Sequence, residues 1–444
     1  MSVKKKMGII VGGGPAPGIN AVIGAATIEA INRGFEVIGF YDGFRWLSSD
    51  SFSIQDHSLE LHIKKVARVH FAGGSILRTS RTSLLDKTHL STQSRVSPDN
   101  SKVQNVLRHL RILGVSHLLT IGGDDTALSA RFVGDAAGGA IRMVHVPKTI
   151  DNDLPLPYDI PTFGFSTARL NGTYLIKSLM ADSRTTGRWY IVETMGRSAG
   201  WLAMSIGMAA GATLTLIPEE FAPNSRLQHI ADVIEGAILK RAAMGRPDGV
   251  ALLAEGLTYQ LGDPHELEQL LGREVPVDSA GHPRLAEVDL ARLLKKELEE
   301  RFAQRGRSIA LVDHELGYEL RSADPSPFDM GYCRSLGYFS VQLFLSDAPS
   351  HVMVSIVNGN LQPIEMSDMI DPQTNRTRTR VVDIKSDSYR VARAYQIRLE
   401  QSDLDDPATL IKLAAESGLT PEDFRTRFAR AATRRCDAQS DETE

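Results

Sequence analysis

Short apolar segments alternate along this chain with segments of helical periodicity, and most of the apolar segments end at glycine or at charged residues. Within residues 19–31, for example, Val22 and Ala26 share one helical face, and Gly34 follows as a stop signal. This alternation predicts an α/β fold with two doubly wound, mostly parallel-sheet domains. The predicted strands are 9–11, 35–40, 118–121, 143–146, 189–192, 213–217, 250–253 and 309–312.

Glycine-rich and charged segments directly follow several of these strands. Ligands of parallel sheets bind beyond the carboxyl ends of the strands, so these segments predict one active site, in the cleft between the two domains. The segments are Gly12-Gly13-Gly14, Gly122-Gly123-Asp124-Asp125, Lys148-Thr149-Ile150-Asp151, Met195-Gly196-Arg197 and Glu255-Gly256.

The length of 444 residues exceeds one ordinary core and predicts two domains with an extension. The turn-forming pair Asn358-Gly359 predicts a hairpin within residues 351–366. The predicted limits are 1–158 for the first domain, completed by part of 318–360; 159–317 for the second, with an inserted helical segment at 258–306; and 361–444 for the C-terminal extension.

Charge and cysteine content argue against several classes of protein. The formal net charge is −4 and no long basic run occurs, so no nucleic-acid partner is expected. Two cysteines, Cys333 and Cys436, cannot form a disulfide framework, which favours a reducing, cytoplasmic compartment. The apolar run at 7–11 is too short for a signal peptide, and no run approaches the roughly 20 apolar residues of a membrane span.

The segment 12–18, Gly-Gly-Gly-Pro-Ala-Pro-Gly, joins a predicted strand to a predicted helix. Glycines let backbone N–H groups approach a phosphate, and a helix N-terminus adds partial positive charge. Pro17 stands where the dinucleotide fingerprint requires its last glycine, and no Walker A sequence occurs. The segment therefore fits either a phosphate-binding loop or an ordinary tight turn between strand and helix.

Carboxylates follow two later strands. Asp124 and Asp125 are adjacent and repel each other, which a divalent cation would relieve, although Asp125 could instead cap the next helix. The segment 147–153, Pro-Lys-Thr-Ile-Asp-Asn-Asp, combines a cation, a hydroxyl and carboxylates. Such groups can accept the proton of an alcohol and bind phosphate oxygens. A polar turn closed by Pro155 is the alternative for any single residue of this segment.

Taken in order, the segments GGGPAPG, GGDDT, PKTIDND, MGR, AEG and LGYELR resemble the phosphofructokinase family over roughly residues 7–340. The resemblance implies phosphoryl transfer to the 1-hydroxyl of fructose 6-phosphate, a step of glycolysis, with Mg²⁺ as cofactor. It also implies that the first predicted domain binds the phosphoryl donor and Mg²⁺, and that the second binds the sugar phosphate.

The resemblance implies roles for individual residues. Asp151 matches the base that accepts the proton of the sugar hydroxyl, and Thr149 helps to position the substrate. Asp124 matches the Mg²⁺ ligand. Arg81 matches an arginine near the transferred phosphoryl group, and Gly14 matches the phosphate-contacting glycine of the first loop.

Arg188 matches an arginine that the family lends to the site of a neighbouring subunit, which implies a homodimer or a higher oligomer. Tyr318 and Arg321 match residues that bind the 6-phosphate. The full set implied for the sugar phosphate is Thr149, Asp151, Arg188, Met195, Gly196, Arg197, Glu255, Tyr318 and Arg321.

Two positions predict which donor is used. ATP-using bacterial members resemble GGDGS and PGTIDND, whereas this chain has Asp125 and Lys148 at the two variable positions. A carboxylate at Asp125 takes the place of the α-phosphate of ATP and would repel it. Lys148 supplies a cation suited to a donor with two phosphates. Because the pyrophosphate-using members carry this pair, we expect pyrophosphate as donor, with ATP as the alternative.

One arginine of the ATP-using members aligns with Val312, so the binding site for the 6-phosphate lacks that cation in this chain. Asp313 and His314 follow Val312 directly. Other acceptors, such as sedoheptulose 7-phosphate, therefore stay open. Two further alternatives are a non-catalytic sugar-phosphate sensor on the same fold and a serine hydrolase. The hydrolase would use Ser198, because residues 196–200 match the pattern G-x-S-x-G.

Overall fold

The computed structural model describes residues 5–84, 100–157, 160–261, 268, 288–369, 371 and 378–433. Its contacts divide the chain into two compact units, each formed by two segments of chain. The first comprises Met1–Ala168 and Tyr318–Arg380, and the second comprises Arg169–Gly317 and Val381–Glu444. The predicted extension is thus divided between the two units after Arg380. Much of the predicted insertion at 258–306 lies outside the described residues.

The strands of the described residues are named in chain order. They are β1 (Lys6–Val11), β2 (Glu36–Phe40), β3 (Ser58–Leu61), β4 (Val115–Gly122), β5 (Arg142–Thr149), β6 (Phe163–Gly164), β7 (Trp189–Thr194), β8 (Leu214–Leu216), β9 (Gly249–Ala254), β10 (Leu311–Leu316), β11 (Val352–Met353), β12 (Ile356–Val357), β13 (Asn360–Leu361) and β14 (Ile364–Glu365).

The α-helices of the described residues are identified by their ranges. They are Ile19–Asn32, Ile54–His57, Ile63–Val66, Ser101–Ile112, Asp124–Ala137, Phe165–Thr186, Trp201–Ala210, Leu227–Ala243, Leu290–Gln304, Tyr318–Arg321, Pro327–Leu345, Asp387–Ala394, Gln401–Asp405, Pro407–Ser417 and Pro421–Ala432. None of them is long and apolar enough to cross a membrane.

An eight-stranded sheet forms the centre of the first unit, in the order β14-β11-β5-β4-β1-β2-β3, with β6 paired to β5. All pairs are parallel except those of the edge strands β3 and β14. Ile9, Ile10 and Val11 of β1 are fully buried, as expected for a strand covered on both faces. The predicted hairpin is confirmed, because β12 and β13 pair around Asn358 and Gly359, both at positive φ.

The second unit is built on a parallel sheet in the order β10-β7-β9-β8. Strand β10 starts at Leu311 and continues to Leu316, so the predicted strand 309–312 was placed too early. Its polar residues misled the prediction: β10 lies at the sheet edge, where Asp313 and His314 reach solvent, and a polar edge strand lacks the apolar run of a central one.

The C-terminal segment completes the core of the second unit. Phe424 and Phe428 are fully buried and belong to one cluster with Trp189 and Leu253 of the sheet. The carboxylate of Glu235, also fully buried, accepts hydrogen bonds from three arginines, two of them on helices and one at the C-cap of the helix Leu290–Gln304. These arginines are Arg301, Arg305 and Arg427.

Candidate active site

Backbone hydrogen bonds hold the glycine segment that follows β1 in the first unit. The amide of Gly12 donates to the Ile121 carbonyl at 2.8 Å, and the amide of Gly13 donates to the Ser80 carbonyl at 2.8 Å. Gly18 adopts a φ of 109° directly before the helix Ile19–Asn32, a conformation that favours glycine. The segment therefore runs from a strand into a helix N-terminus, the context predicted for it.

Two cationic side chains meet at Gly14. Lys148, which is 5% exposed, donates from Nζ to the Gly14 carbonyl at 2.6 Å. A Cβ atom at Gly14 would lie 3.2 Å from Nη1 of Arg321, so a larger residue would crowd that guanidinium. The first unit thus brings together three residues that were predicted to bind phosphate groups. Cations beside an approachable backbone favour an anionic ligand.

Asp124 and Asp125 both lie in the first turn of the helix Asp124–Ala137. Gly123 is the N-cap residue, so the alternative that Asp125 caps this helix is wrong. The helix N-terminus favours both negative charges. Asp124 is half-buried, whereas Asp125 is exposed. Within the described residues, no three His, Cys, Asp or Glu side chains form a group that could hold a metal ion by itself.

The hydroxyl of Thr149 fixes Asp151. The amide of Asp151 donates to Oγ1 of Thr149 at 3.0 Å, and the same hydroxyl donates to Oδ2 of Asp151 at 3.0 Å. Each of the two residues is only 8% exposed. One hydroxyl therefore sets both the backbone and the carboxylate of Asp151. The structure brings these two predicted catalytic residues into direct contact.

His145, in β5, supports the same region and was not among the predicted residues. Its Nε2 lies 3.0 Å from the Gly122 carbonyl, and its Nδ1 lies 2.8 Å from the hydroxyl of Thr120. Burial lowers the pKa of His145 to about 3, so the imidazole is neutral. It links β5 to the end of β4, just before Asp124. A histidine inside the apolar run 143–146 was the available sequence signal.

Arg81 follows a segment that packs against the glycine loop. Thr79 donates from Oγ1 to the Gly13 carbonyl at 2.6 Å, and Ser80 forms an isolated parallel bridge with Gly12. The side chain of Arg81 is exposed. The backbone directly before Arg81 therefore lies against the glycine loop.

In the second unit, Glu255 holds the backbone of two neighbouring site residues. Its Oε1 accepts from the amide of Gly196 at 3.2 Å and from the amide of Arg197 at 2.5 Å. Both residues have positive φ, 155° and 53°, and the hydrogen bonds stabilise that turn. Burial raises the pKa of Glu255. The amide of Met195 donates to the Leu316 carbonyl at 3.1 Å. Met195, Gly196 and Arg197 directly follow β7 and Glu255 directly follows β9, so these four predicted residues lie together at the carboxyl ends of the two strands.

Arg188 lies at the other end of the same strand. It precedes Trp189, the first residue of β7, whereas Met195 follows Thr194, the last. A strand of this length spans roughly 20 Å. The structure therefore does not bring Arg188 together with Met195, Gly196, Arg197 and Glu255.

Tyr318 and Arg321 belong to the first unit, in the short helix Tyr318–Arg321. Tyr318 is 66% exposed, and the guanidinium of Arg321 lies 4.3 Å from the centre of its ring. Arg321 lies with the glycine loop of the first unit, a placement that its position in the sequence did not reveal.

In the second unit, Val312 stands where ATP-using members resemble each other in having an arginine. Next to it, Asp313 accepts a hydrogen bond from Nζ of Lys295 at 2.8 Å, which lowers the pKa of that carboxyl.

A hydrolase site at Ser198 lacks support. Among the described residues, no histidine forms a hydrogen bond with Ser198, whose side chain is exposed. A triad would need one of the histidines that follow Ser198 along the chain. Of these, His229 packs edge-on against Phe221, with 5.3 Å between ring centres. His265 and His282, two further candidates, lie outside the described residues. The amides of the two glycines around Ser198 instead donate to carboxylates, that of Gly196 to Glu255 at 3.2 Å and that of Gly200 to Glu219 at 3.0 Å.

Comparison with known protein families decides the assignment. Residues 6–344 match the family model of phosphofructokinase. The chain belongs to the phosphofructokinase family. The segments that carry the catalytic motifs all lie within the matched range, whereas the C-terminal segment of the second unit lies beyond it.

Relatives extend the match beyond the family model. This phosphofructokinase is 51% identical to the pyrophosphate–fructose 6-phosphate 1-phosphotransferase of Thermotoga maritima, over 96% of this chain and 98% of the relative. It is 45% identical to the enzyme of the same name from Naegleria fowleri, over 95% and 94%. An ATP-dependent 6-phosphofructokinase 3 of Streptomyces coelicolor is 32% identical, over 76% of this chain and 86% of the relative.

Solved structures agree on the fold. A pyrophosphate-dependent phosphofructokinase from Marinobacter aquaeolei superposes with a TM-score of 0.62 at 16% identity, over 94% of this chain and 92% of the other. Phosphofructokinase from Saccharomyces cerevisiae gives a TM-score of 0.60 at 19% identity, over 96% of this chain and 50% of the other. The α/β architecture is therefore that of the phosphofructokinases.

Proposed function

We propose that this enzyme transfers a phosphoryl group reversibly from pyrophosphate to the 1-hydroxyl of fructose 6-phosphate, giving fructose 1,6-bisphosphate and phosphate. The observation that carries the choice of donor is Asp125, which presents a second carboxylate in the first turn of the helix Asp124–Ala137. The two relatives at 51% and 45% identity bear the name of this activity.

The proposed base is Asp151. Its carboxylate is buried and oriented by the hydroxyl of Thr149 at 3.0 Å, so it can accept the proton of the sugar hydroxyl without first reorganising. Thr149 keeps the carboxylate pointing in one direction and can contact the same substrate. The proton then leaves the hydroxyl as the new O–P bond forms and the bond to the leaving phosphate breaks.

Lys148 is proposed to bind the donor phosphates near Gly14, and Arg321, whose guanidinium lies beside the same glycine, is proposed to bind the 6-phosphate of the sugar together with Tyr318. Lys148 is placed by its 2.6 Å hydrogen bond to the Gly14 carbonyl, and this contact supports a role at the donor phosphates. Arg81 would stabilise the transferring phosphoryl group from the exposed side. Cationic side chains beside the equatorial oxygens of the transferring phosphoryl group lower the barrier, because negative charge spreads over these oxygens in the transition state.

Asp124 is proposed to hold Mg²⁺. A single half-buried carboxylate at the start of a helix suits this ion, because Mg²⁺ keeps several waters and takes its other ligands from substrate phosphates. When bound, Mg²⁺ would neutralise charge on the phosphates of the donor.

Met195, Gly196, Arg197 and Glu255 are proposed to bind fructose 6-phosphate, together with Tyr318. The turn that Glu255 holds supports this role, since it fixes the backbone beside Arg197. We assign Arg188 to the site of a neighbouring subunit, and its distance along β7 from Met195 supports that assignment. The proposal therefore includes a homodimer or higher oligomer. We further propose a cytoplasmic location, on the ground of the two cysteines.

A direct comparison of donors tests the proposal. Purified enzyme is given fructose 6-phosphate and Mg²⁺ with either pyrophosphate or ATP, and fructose 1,6-bisphosphate is measured. We expect kcat/KM for pyrophosphate to exceed that for ATP by at least about 100-fold, equivalent to roughly 3 kcal/mol. Equal use of both donors would refute the role of Asp125. Absence of turnover with either donor would favour a sugar-phosphate sensor.

A further inference from the structure

Arg380 lies 36 residues beyond the matched family range of 6–344, yet it contacts the loop that carries Asp151. Its Nε donates to the Asn152 carbonyl at 3.0 Å, and one terminal nitrogen donates to the Ile160 carbonyl at 3.0 Å. The other terminal nitrogen donates to Oδ1 of Asn152. The backbone amide of Arg380 donates to the Asp153 carbonyl at 2.8 Å.

Asn152 is the residue that these contacts hold. It is 6% exposed and adopts a φ of 58°, in the left-handed region that asparagine occupies more readily than most residues other than glycine. Its Oδ1 also accepts from the amide of Thr162 at 3.0 Å, and Thr162 in turn donates from Oγ1 to the Thr149 carbonyl at 2.6 Å. The turn directly after Asp151 is therefore held, through the buried side chain and the carbonyl of Asn152, by Thr162 and by Arg380 from a distant segment of the chain.

We infer that Arg380 is a positioning residue that sets the orientation of Asp151 through Asn152. The inference rests on the proposed function, in which Asp151 is the base. Nothing in the contacts requires Arg380 to touch substrate. The planar guanidinium presents several donors in a fixed arrangement, and here it joins two carbonyls and one amide oxygen on two segments of chain.

Three variants test this role: Arg380→Ala, Arg380→Lys and the control Arg378→Ala. Arg378 is exposed and lies two residues earlier, so its loss removes the same charge without touching the loop. We expect Arg380→Ala to lower kcat about 10- to 100-fold, the usual effect of a small misplacement of a catalytic group. KM for both substrates should change less than about 3-fold. Arg380→Lys should keep little more activity than Arg380→Ala, because a lysine ammonium cannot reproduce the planar set of donors of the guanidinium. Guanidinium ion added to Arg380→Ala should restore part of kcat.

The same change made in a variant that already lacks the base separates a positioning role from general destabilisation of the protein. In Asp151→Asn, the additional change Arg380→Ala should have little further effect on kcat, because residues that act as a unit are not additive. The same 10- to 100-fold loss in that background would overturn the inference.

Hydrogen exchange provides a readout that does not need activity. Amides of residues 149–162 should exchange faster in Arg380→Ala than in Arg378→Ala. Unchanged exchange would overturn the inference even if the wild type were inactive with pyrophosphate. An inactive wild type whose loop loosens in Arg380→Ala would instead overturn the proposed function and leave the structural link intact.

Discussion

Substitution of a single residue, Asp125, should partly shift the preference for pyrophosphate towards ATP. Two substitutions separate its charge from its size. Asp125→Asn removes the charge and keeps the volume, whereas Asp125→Gly removes both. Asp135→Asn, in the last turn of the same helix, is the matched control, because it removes a carboxylate of the same helix far from the glycine loop.

The expected magnitude follows from the position of Asp125. It is exposed in the first turn of the helix, so the effective dielectric constant lies between the protein-surface value and that of water. Two unit charges about 5 Å apart then repel by about 1.5–3 kcal/mol. At about 1.4 kcal/mol per decade, this corresponds to a roughly 10- to 150-fold gain in kcat/KM for ATP in Asp125→Asn. Asp125→Gly should gain more, because it also frees space for the α-phosphate.

The assay measures initial rates with ATP and with pyrophosphate for the wild type and the three variants at fixed ionic strength. Higher salt should reduce the difference between wild type and Asp125→Asn, since an exposed charge is screened. If Asp125→Gly gains ATP use and Asp125→Asn does not, the obstruction is steric and the electrostatic argument is wrong. If neither variant gains ATP use, Asp125 does not select the donor.

Three further outcomes are expected. Asp151→Asn should lower kcat by roughly 10²–10⁴ with little change in fructose 6-phosphate binding, as measured by steady-state kinetics and titration, and a near wild-type kcat would remove Asp151 from the role of base. Glu235→Gln should lower the free energy of unfolding by about 3–5 kcal/mol in urea, because three arginines lose a buried charged partner; a loss below about 1 kcal/mol would contradict the importance of this network. Burial raises the pKa of Glu193 from 4.5 to about 7, so folding favours its protonated form. The unfolding free energy of the wild type should therefore fall relative to that of Glu193→Gln as the pH rises from about 4.5 to about 7, and a difference that does not vary with pH would refute this.

The central strands and the segments after them were readable from sequence for a physical reason. A parallel strand covered on both faces must be a continuous apolar run, and β4 and β5 show such runs directly before Asp124 and around Lys148. Edge strands do not share that constraint, so the bounds of β10 were missed. Local patterns therefore predicted where the candidate site segments lie along the chain and which strand each one follows.

Contacts between distant segments left no such pattern. Arg380 is 228 positions from Asn152, and nothing in the residues around either one indicates the pairing. The approach of Arg321 to Gly14 was equally unpredicted, because the alignment of short motifs orders residues along the chain and says nothing of which loops meet. Phe424 and Phe428 lie in a charged segment whose composition hid their buried face.

The burial of Phe424 and Phe428 has a consequence for synthesis. Chains commonly fold unit by unit as they leave the ribosome, beginning at the N-terminus. Here the core of the second unit includes Phe424 and Phe428, which are made after every segment of the first unit, and the first unit needs Tyr318–Arg380. The first core can therefore close only after Arg380 has emerged and the second only after Phe428 has, so apolar surface of both units stays exposed to aggregation during translation.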